Sequence, residues 1–184
     1  MVASFINPHD ICQWARSQPL PWGPIDDDVA TKDCPSLPAN FAVPPFEPEL
    51  LRIVQGLNPS IYPVRNWPDE HWRHYRHAYY RLVEKVDAQI GTILDALRET
   101  RLEENTVVIF SSDHGDGHGA HKWNQKTALY EECVRIPFIV SFKGVTDPGR
   151  VGATHLVSSG LDLFPTLCDY AGIEPPRSLP GPRM

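Results

Sequence analysis

Residues 111–132, with the sequence SSDHGDGHGAHKWNQKTALYEE, place a high density of titratable groups directly after the apolar run TVVIF. Asp113 and His114 stand side by side and are followed by Gly115. A carboxylate beside an imidazole can supply two ligands to a divalent metal ion, and the absent side chain of Gly115 lets backbone or ligand approach closely. The alternative is that Asp113 caps a turn and His114 is a solvated loop residue, because a three-residue pattern is weak by itself.

Four basic side chains follow in the same glycine-rich loop, at His118, His121, Lys122 and Lys126. Cations that lie beside a metal ion can bind an oxyanion such as sulfate or phosphate. The density of these groups favours a functional site over an ordinary surface loop. For Lys122 and His118 taken alone, a solvated or structural residue is the preferred interpretation.

The sequence on either side of this loop predicts two strands. Residues 106–112 (TVVIFSS) and 136–142 (IPFIVSF) are apolar runs of strand length, as is typical of strands buried on both faces. In open α/β sheets, ligands bind at the carboxyl ends of the strands, which is where Asp113 and His114 fall.

Two helices are predicted from the spacing of apolar residues. Residues 69–99 carry an apolar face with steps of three and four, and Pro68 suits the start of a helix. The positions on this face are Trp72, Tyr75, Tyr79, Leu82, Val86, Ile90, Ile93 and Leu97. A second helix is predicted within residues 161–173, with Gly172 as its C-terminal stop. Strands and helices in this order indicate an α/β fold with flanking helices.

Proline divides the chain into two parts of one domain, residues 1–184. Of 19 prolines, twelve lie between Pro8 and Pro68, and the stretch from Asp69 to Ile136 has none. Residues 1–68 are therefore predicted to be an irregular, proline-rich segment after a first strand at Met1–Ile6. Residues 69–184 form the regular α/β part of the prediction.

The amino-acid composition limits the classes of partner that we expect for this chain. A net charge of −6 gives no electrostatic reason to expect nucleic acid. No segment approaches the roughly 20 apolar residues of a membrane span, so no membrane partner is expected. The four cysteines form no C-x-x-C pair, which indicates neither a structural zinc site nor a dense disulfide framework. The oligomeric state stays open.

The stretch TVVIFSSDHGDGHGAHKWNQKTALYEECVRIPFIV resembles the C-terminal half of the sulfatase catalytic domain, within the alkaline phosphatase superfamily. The resemblance extends back through YYRLVEKVDAQIGTILDALRE to SFINPHD and forward to VSSGLDLFPTLCDYAGIEPP. It implies part of an alkaline-phosphatase-like three-layer sandwich, with a mostly parallel central sheet and flanking helices. It also implies a sulfuric ester hydrolase that acts on a small-molecule or carbohydrate sulfate ester.

The resemblance implies roles for five residues. Asp113 and His114 match two ligands of a divalent cation, usually Ca²⁺ in sulfatases. Lys126 matches the lysine that contacts the sulfate and its leaving oxygen, and His9 matches a histidine that hydrogen-bonds the ester. His121 matches a common histidine of the same loop. A cation and a lysine would stabilise negative charge on the ester oxygens, and a histidine can donate a proton to the departing alcohol.

The family's nucleophile is formylglycine, made from the first residue of a C/S-x-P/A-x-R motif. Cys12 begins CQWAR, which has Trp14 where Pro or Ala belongs, and the contexts of Cys34, Cys133 and Cys168 do not match either. We therefore expect a truncated chain, with formylglycine and two further cation ligands in a missing N-terminal part and no turnover by this chain alone. An exposed sheet edge and apolar face would favour poor solubility or association.

Several alternatives stay open at this point. A phosphodiesterase or phosphonate monoester hydrolase of the same superfamily is compatible with the Asp-His pair, and so is a non-catalytic remnant that binds sulfate. Ca²⁺ prefers all-oxygen ligands, so His114 leaves Mn²⁺ or Zn²⁺ possible. A periplasmic or secreted location is expected for the intact parent protein.

Overall fold

The computed structural model describes residues 1–57, 63–154 and 156–176 and divides into two compact units. The first comprises residues 1–101 and 114–135, and the second comprises residues 102–113 and 136–184. The helices are α1 (Ile11–Ala15), α2 (Glu49–Leu57), α3 (Asp69–Glu99), α4 (Glu131–Val134) and α5 (Leu163–Ala171). The strands are β1 (Val107–Ser111) and β2 (Phe138–Phe142). Short 3₁₀ helices span Thr31–Asp33, Pro63–Asn66, Leu102–Asn105 and Ala120–Lys122.

The helix predicted over residues 69–99 is confirmed as α3. It begins directly after Pro68, and the carboxylates of Asp69 and Glu70 lie in its first turn, where they interact favourably with the helix dipole. The first half of the predicted apolar face is buried, at Trp72, Tyr75 and Leu82. The later positions of that face, from Val86 to Leu97, are only partly buried.

The core of the first unit lies between α1 and α3. Ile11 and Ala15 of α1 and Val64 of a 3₁₀ helix pack against the buried face of α3. Trp14 and Trp67 add ring contacts with Tyr75, at centroid distances of 6.0 and 5.7 Å. Burial of each large apolar side chain contributes about 1.5–3 kcal/mol, so this aromatic core gives α3 a rigid surface.

The second unit is built on a two-stranded antiparallel sheet, in which Val107 pairs with Phe142 and Ser111 pairs with Phe138. Both predicted strands are therefore confirmed. The predicted helix near the C-terminus is confirmed as α5, which ends at Gly172 with the left-handed φ of 65° that glycine tolerates. None of the described helices is both long enough and apolar enough to span a membrane.

Three details differ from the sequence predictions. The strand predicted at Met1–Ile6 is wrong: in the described structure no strand pairs with this segment, and it runs as irregular chain. β1 and β2 are antiparallel, whereas the resemblance implies a mostly parallel sheet, because the chain returns after residue 137 to the end at which β1 stops. Neither strand is buried on both faces, and Phe110 and Ile139 are 38% and 55% exposed.

The proline-rich part is largely irregular, as predicted, but it also contains α2, which the sequence analysis missed. Residues 58–62 of that part lie outside the described residues, as do 155 and 177–184 of the regular part. The single domain predicted over residues 1–184 stays a prediction.

Candidate functional site

The glycine-rich loop is folded back on the segment that follows it by three main-chain hydrogen bonds. The N–H groups of Gly115, Gly117 and Gly119 donate to three carbonyl oxygens at 2.8, 3.0 and 3.0 Å. The acceptors are Cys133, Gln125 and Trp123, respectively. The loop therefore has a defined fold and does not extend freely into solvent.

Two of these glycines are required by close packing. A Cβ atom at Gly115 would lie 2.0 Å from the carbonyl oxygen of Glu132, and one at Gly117 would lie 2.6 Å from the carbonyl oxygen of Trp123. Neither distance is possible for a side chain, and both contacts are with backbone that cannot move aside cheaply. The predicted close approach at Gly115 is thus confirmed, with backbone as the approaching group.

The loop also contains backbone strain. His118, His121 and Lys122 have left-handed φ values of 49°, 55° and 54°, a conformation that non-glycine residues rarely adopt. Such residues persist only where the surrounding structure holds them, and they cluster at functional sites. Trp123 is fully buried beneath the loop and packs in one apolar cluster with Ala128, Cys133, Tyr130 and two α2 residues, Leu51 and Val54.

Asp116 lies at the centre of the loop and links it to α3. The Tyr75 hydroxyl lies 3.0 Å from both Asp116 Oδ1 and the Asn124 carbonyl oxygen and shares its one proton between these acceptors. Asp116 Oδ1 also accepts from the His118 N–H at 2.8 Å. Burial raises the pKa of the Asp116 carboxyl, while these two donors and the charges of His114 and Lys126 lower it, with a net upward direction. The charges of Lys126 and of a protonated His114, both predicted site residues, thus favour the ionised form of the Asp116 carboxyl.

His114 has the geometry of a metal-binding histidine. Its Nδ1 lies 2.7 Å from the carbonyl oxygen of Gly115. A carbonyl can only accept, so Nδ1 carries the proton and the lone pair of the neutral ring is on Nε2. Metal-bound histidines use this arrangement, in which the second ring nitrogen donates to a carbonyl or carboxylate. The chemistry of His114 therefore fits a cation ligand.

Asp113 is exposed, and its Oδ1 accepts from the Ser112 hydroxyl at 3.4 Å. It is the last residue of a segment of the second unit, whereas His114 begins a segment of the first. Across the described ranges, no group of three or more His, Cys, Asp or Glu side chains could hold a metal ion. The residues described here thus offer at most part of a cation site.

The His121 side chain lies against Tyr130, Asn40 and Glu132. Its ring stacks on Tyr130 with a centroid distance of 4.1 Å and an interplanar angle of 26°. Its Nε2 lies 3.3 Å from the amide nitrogen of Asn40 and 3.8 Å from the Glu132 carboxylate. The same amide nitrogen donates to the other Glu132 oxygen at 2.6 Å. His121 therefore joins residue 40, in the proline-rich part, to the start of α4.

His118 is packed against α3. Arg76 donates to its carbonyl oxygen at 2.7 Å, and its ring contacts Tyr79 and Tyr80 at 4.6 and 5.0 Å. Burial, with a further contribution from Arg76, lowers the pKa of His118 to about 4. This ring is neutral at physiological pH and has a structural role, in line with the preferred interpretation of the sequence.

The remaining predicted residues are exposed. Lys126 is exposed in the loop, and the Lys122 ammonium lies 5.1 Å from the centre of the Phe41 ring. His9 is exposed in the turn before α1. His114, Asp116 and Lys126 lie in one folded loop, whereas His9 lies in a turn more than 100 residues earlier in the chain.

A family model described as Sulfatase matches residues 1–173. The chain belongs to the sulfatase family. A delta 4,5-hexuronate-2-O-sulfatase from Bacteroides thetaiotaomicron is 32% identical over 183 residues, which are 98% of this chain and 37% of that protein. The solved structure of a 2-O GAG sulfatase has a TM-score of 0.81 and 31% identity, covering 97% of this chain and 38% of the other.

A third similar protein is a phosphonate monoester hydrolase from Silicibacter pomeroyi. It has a TM-score of 0.68 and 24% identity, covering 88% of this chain and 33% of that one, and shows the shared fold alone. The predicted family and its alkaline-phosphatase-like α/β fold are thus confirmed. This sulfatase chain spans little more than a third of the length of its sulfatase relatives.

Sequence reasoning missed Asp116, Asn40 and the specific role of Glu132. The Asp116 side chain accepts the N–H of the residue two positions later, an Asx turn, so the Asp-Gly-His spacing was a usable local signal. Asn40 and Glu132 are 92 residues apart in the sequence, and their contact has no local signal.

Proposed function

We propose that this chain supplies the cation-binding and leaving-group side of a sulfatase active site that hydrolyses sulfate esters of carbohydrates. The observations that support it most directly are that the loop carrying His114 and Lys126 is folded by main-chain hydrogen bonds and that His114 Nδ1 faces the Gly115 carbonyl oxygen, which leaves Nε2 for a cation. Membership of the sulfatase family supports the reaction type. The names of two relatives, a hexuronate-2-O-sulfatase and a 2-O GAG sulfatase, support the substrate class.

We assign each residue a task in this reaction. Asp113 and His114 would hold a divalent cation, which when bound neutralises negative charge on the ester oxygens. Lys126, whose ammonium is exposed, binds the sulfate and stabilises charge on the leaving oxygen. Asp116 links this loop to α3 through the Tyr75 hydroxyl. His9 is exposed and can donate a proton to the departing alcohol.

The source of the nucleophile and the identity of the cation are further parts of the proposal. None of the four cysteines lies in the C-x-P/A-x-R pattern, so we propose that formylglycine comes from protein outside residues 1–184. We propose Ca²⁺ as the cation, to be compared with Mn²⁺ and Zn²⁺ because His114 adds a nitrogen ligand. We also propose a periplasmic or secreted location, which rests on the family alone.

A chimera tests the proposed function. Residues 1–173 of this chain would replace the matching part of the Bacteroides hexuronate-2-O-sulfatase, produced with formylglycine maturation. We expect sulfate release from an unsaturated 2-O-sulfated disaccharide, and far slower hydrolysis of a phosphonate monoester. The purified 184-residue chain serves as the control without nucleophile and should release none. A chimera that melts cooperatively and binds Ca²⁺ but releases no sulfate would contradict the proposal, and a preference for the phosphonate would favour the other branch of the superfamily.

A further inference from the structure

Asn40, His121 and Glu132 form a polar cluster whose hydrogen-bond directions can be worked out. The Asn40 amide nitrogen lies 2.6 Å from a Glu132 carboxylate oxygen. An ionised carboxylate accepts hydrogen bonds and does not donate, so the NH₂ end of the amide must face Glu132. The orientation of the Asn40 amide is therefore fixed by its partner.

This orientation decides the proton position on His121. The second N–H of the same Asn40 amide faces His121 Nε2 at 3.3 Å, so Nε2 is an acceptor. A neutral imidazole with Nε2 as acceptor carries its proton on Nδ1. The other Glu132 oxygen is 3.8 Å from Nε2, which is longer than a hydrogen bond, so it does not compete for a proton there.

The ring is also prevented from turning. It stacks on Tyr130, whose hydroxyl donates to the buried carboxylate of Glu47. Two hydrogen bonds to the main chain of His121 also hold the residue. Its N–H donates to the Asn40 carbonyl oxygen at 2.8 Å, and the side-chain amide of Gln55 donates to its carbonyl oxygen at 3.2 Å. The side chain is only 16% exposed, and Nδ1 is buried with no hydrogen-bond partner among the described residues, so the proton placed there by Asn40 is unpaired.

We infer that Asn40 and Glu132 are positioning residues that hold His121 in the Nδ1–H tautomer, and that His121 fixes the site loop instead of transferring a proton. Its Nε2 is occupied by Asn40 and its Nδ1 is covered, so neither ring nitrogen faces a substrate. The consequence for catalysis rests on the proposed function: the proton for the leaving alcohol is then left to the exposed His9.

The tautomer can be measured directly on the full 184-residue chain. Long-range ¹H–¹⁵N spectra of ¹⁵N-histidine-labelled protein at alkaline pH, with His121 assigned by its loss in His121→Gln, distinguish protonated from unprotonated ring nitrogens. We expect Nδ1 of His121 to be protonated and Nε2 to be unprotonated, whereas exposed His9 should show the mixture, mainly Nε2–H, that is usual in solution. A wild-type His121 with its proton on Nε2 would overturn the inference.

Variants test the two positioning residues separately. Asn40→Asp replaces the amide donor with an acceptor, so the proton should move to Nε2. Glu132→Ala removes the acceptor, so it should release the Asn40 amide and shift His121 towards the solution mixture, while Glu131→Ala, one residue away and exposed, should leave the spectrum unchanged. An unchanged tautomer in Asn40→Asp or in Glu132→Ala would refute the role of that residue. These spectra do not depend on enzymatic activity. A chimera that releases no sulfate would therefore contradict the proposed function but would not bear on the tautomer of His121.

Discussion

Gly115→Ala is the substitution whose effect follows most directly from the structure. The added methyl group would lie 2.0 Å from the Glu132 carbonyl oxygen and 3.4 Å from the Cys133 Cα, both of them backbone atoms. The loop must move away, which breaks the 2.8 Å bond from the Gly115 N–H to the Cys133 carbonyl.

The cost can be worked from two contributions. Overpacking costs about 1–3 kcal/mol, and the lost hydrogen bond about 1 kcal/mol. Together they predict a loss of about 2–4 kcal/mol in the free energy of unfolding, or a Tm lower by about 5–15 °C for a chain of this size. Because the change lies next to His114, the variant should also weaken cation binding.

The chain offers both a probe and a matched control for this experiment. All five tryptophans lie in the first unit, so tryptophan fluorescence during thermal unfolding reports on the unit that contains Gly115. Gly91 lies within α3, and a Cβ there meets nothing within 4 Å. Gly91→Ala should therefore stabilise the helix by about 0.5–1 kcal/mol. A Gly115→Ala protein that melts at or above the wild-type temperature would refute the close packing described for this loop.

Two further predictions concern the contacts around the loop. Tyr75→Phe removes the hydroxyl that donates to Asp116 and should lower the free energy of unfolding in urea by about 1–3 kcal/mol. Tyr80→Phe, the control at an exposed position, should change that free energy little. Equal effects of the two variants would count against the bond between Tyr75 and Asp116. The folded pKa of His118, about 4, lies below its ordinary value of 6.5, so the unfolded chain binds a proton first and stability should fall as pH drops from 6.5 to 4. His118→Asn, which also tolerates left-handed backbone, should make the unfolding midpoint less dependent on pH across that window, and an unchanged slope would contradict the assignment.

The sequence predicted the regular elements well because their signals are local. The apolar spacing in α3, the two apolar runs that became β1 and β2, and Gly172 at the end of α5 all depend on residues within a few positions of one another. The strand at Met1–Ile6 was wrong because an apolar run becomes a strand only where a partner strand exists, and a linear pattern does not show the partner.

The site was predictable to the extent that it is one continuous stretch. His114 and Lys126 lie in the same loop, and the resemblance to sulfatases predicts a role for each, which stays a prediction. The Asn40 contact with His121 joins residues 81 positions apart, so periodicity and motif spacing carry no information about it. Asp116 was missed because its burial against Tyr75 depends on how α3 packs, which the local sequence does not show.

The role of Lys126 is the most direct test of the central claim, that this loop carries the leaving-group side of a sulfatase site. In the chimera, kcat for sulfate release would be measured for Lys126→Ala and for the matched control Lys122→Ala, another exposed lysine of the same loop. The account predicts that Lys126→Ala lowers kcat by about 10²–10³-fold, as expected for loss of a group that stabilises charge in the transition state, while Lys122→Ala changes it by less than about threefold. A Lys126→Ala chimera that retains wild-type kcat would contradict the account.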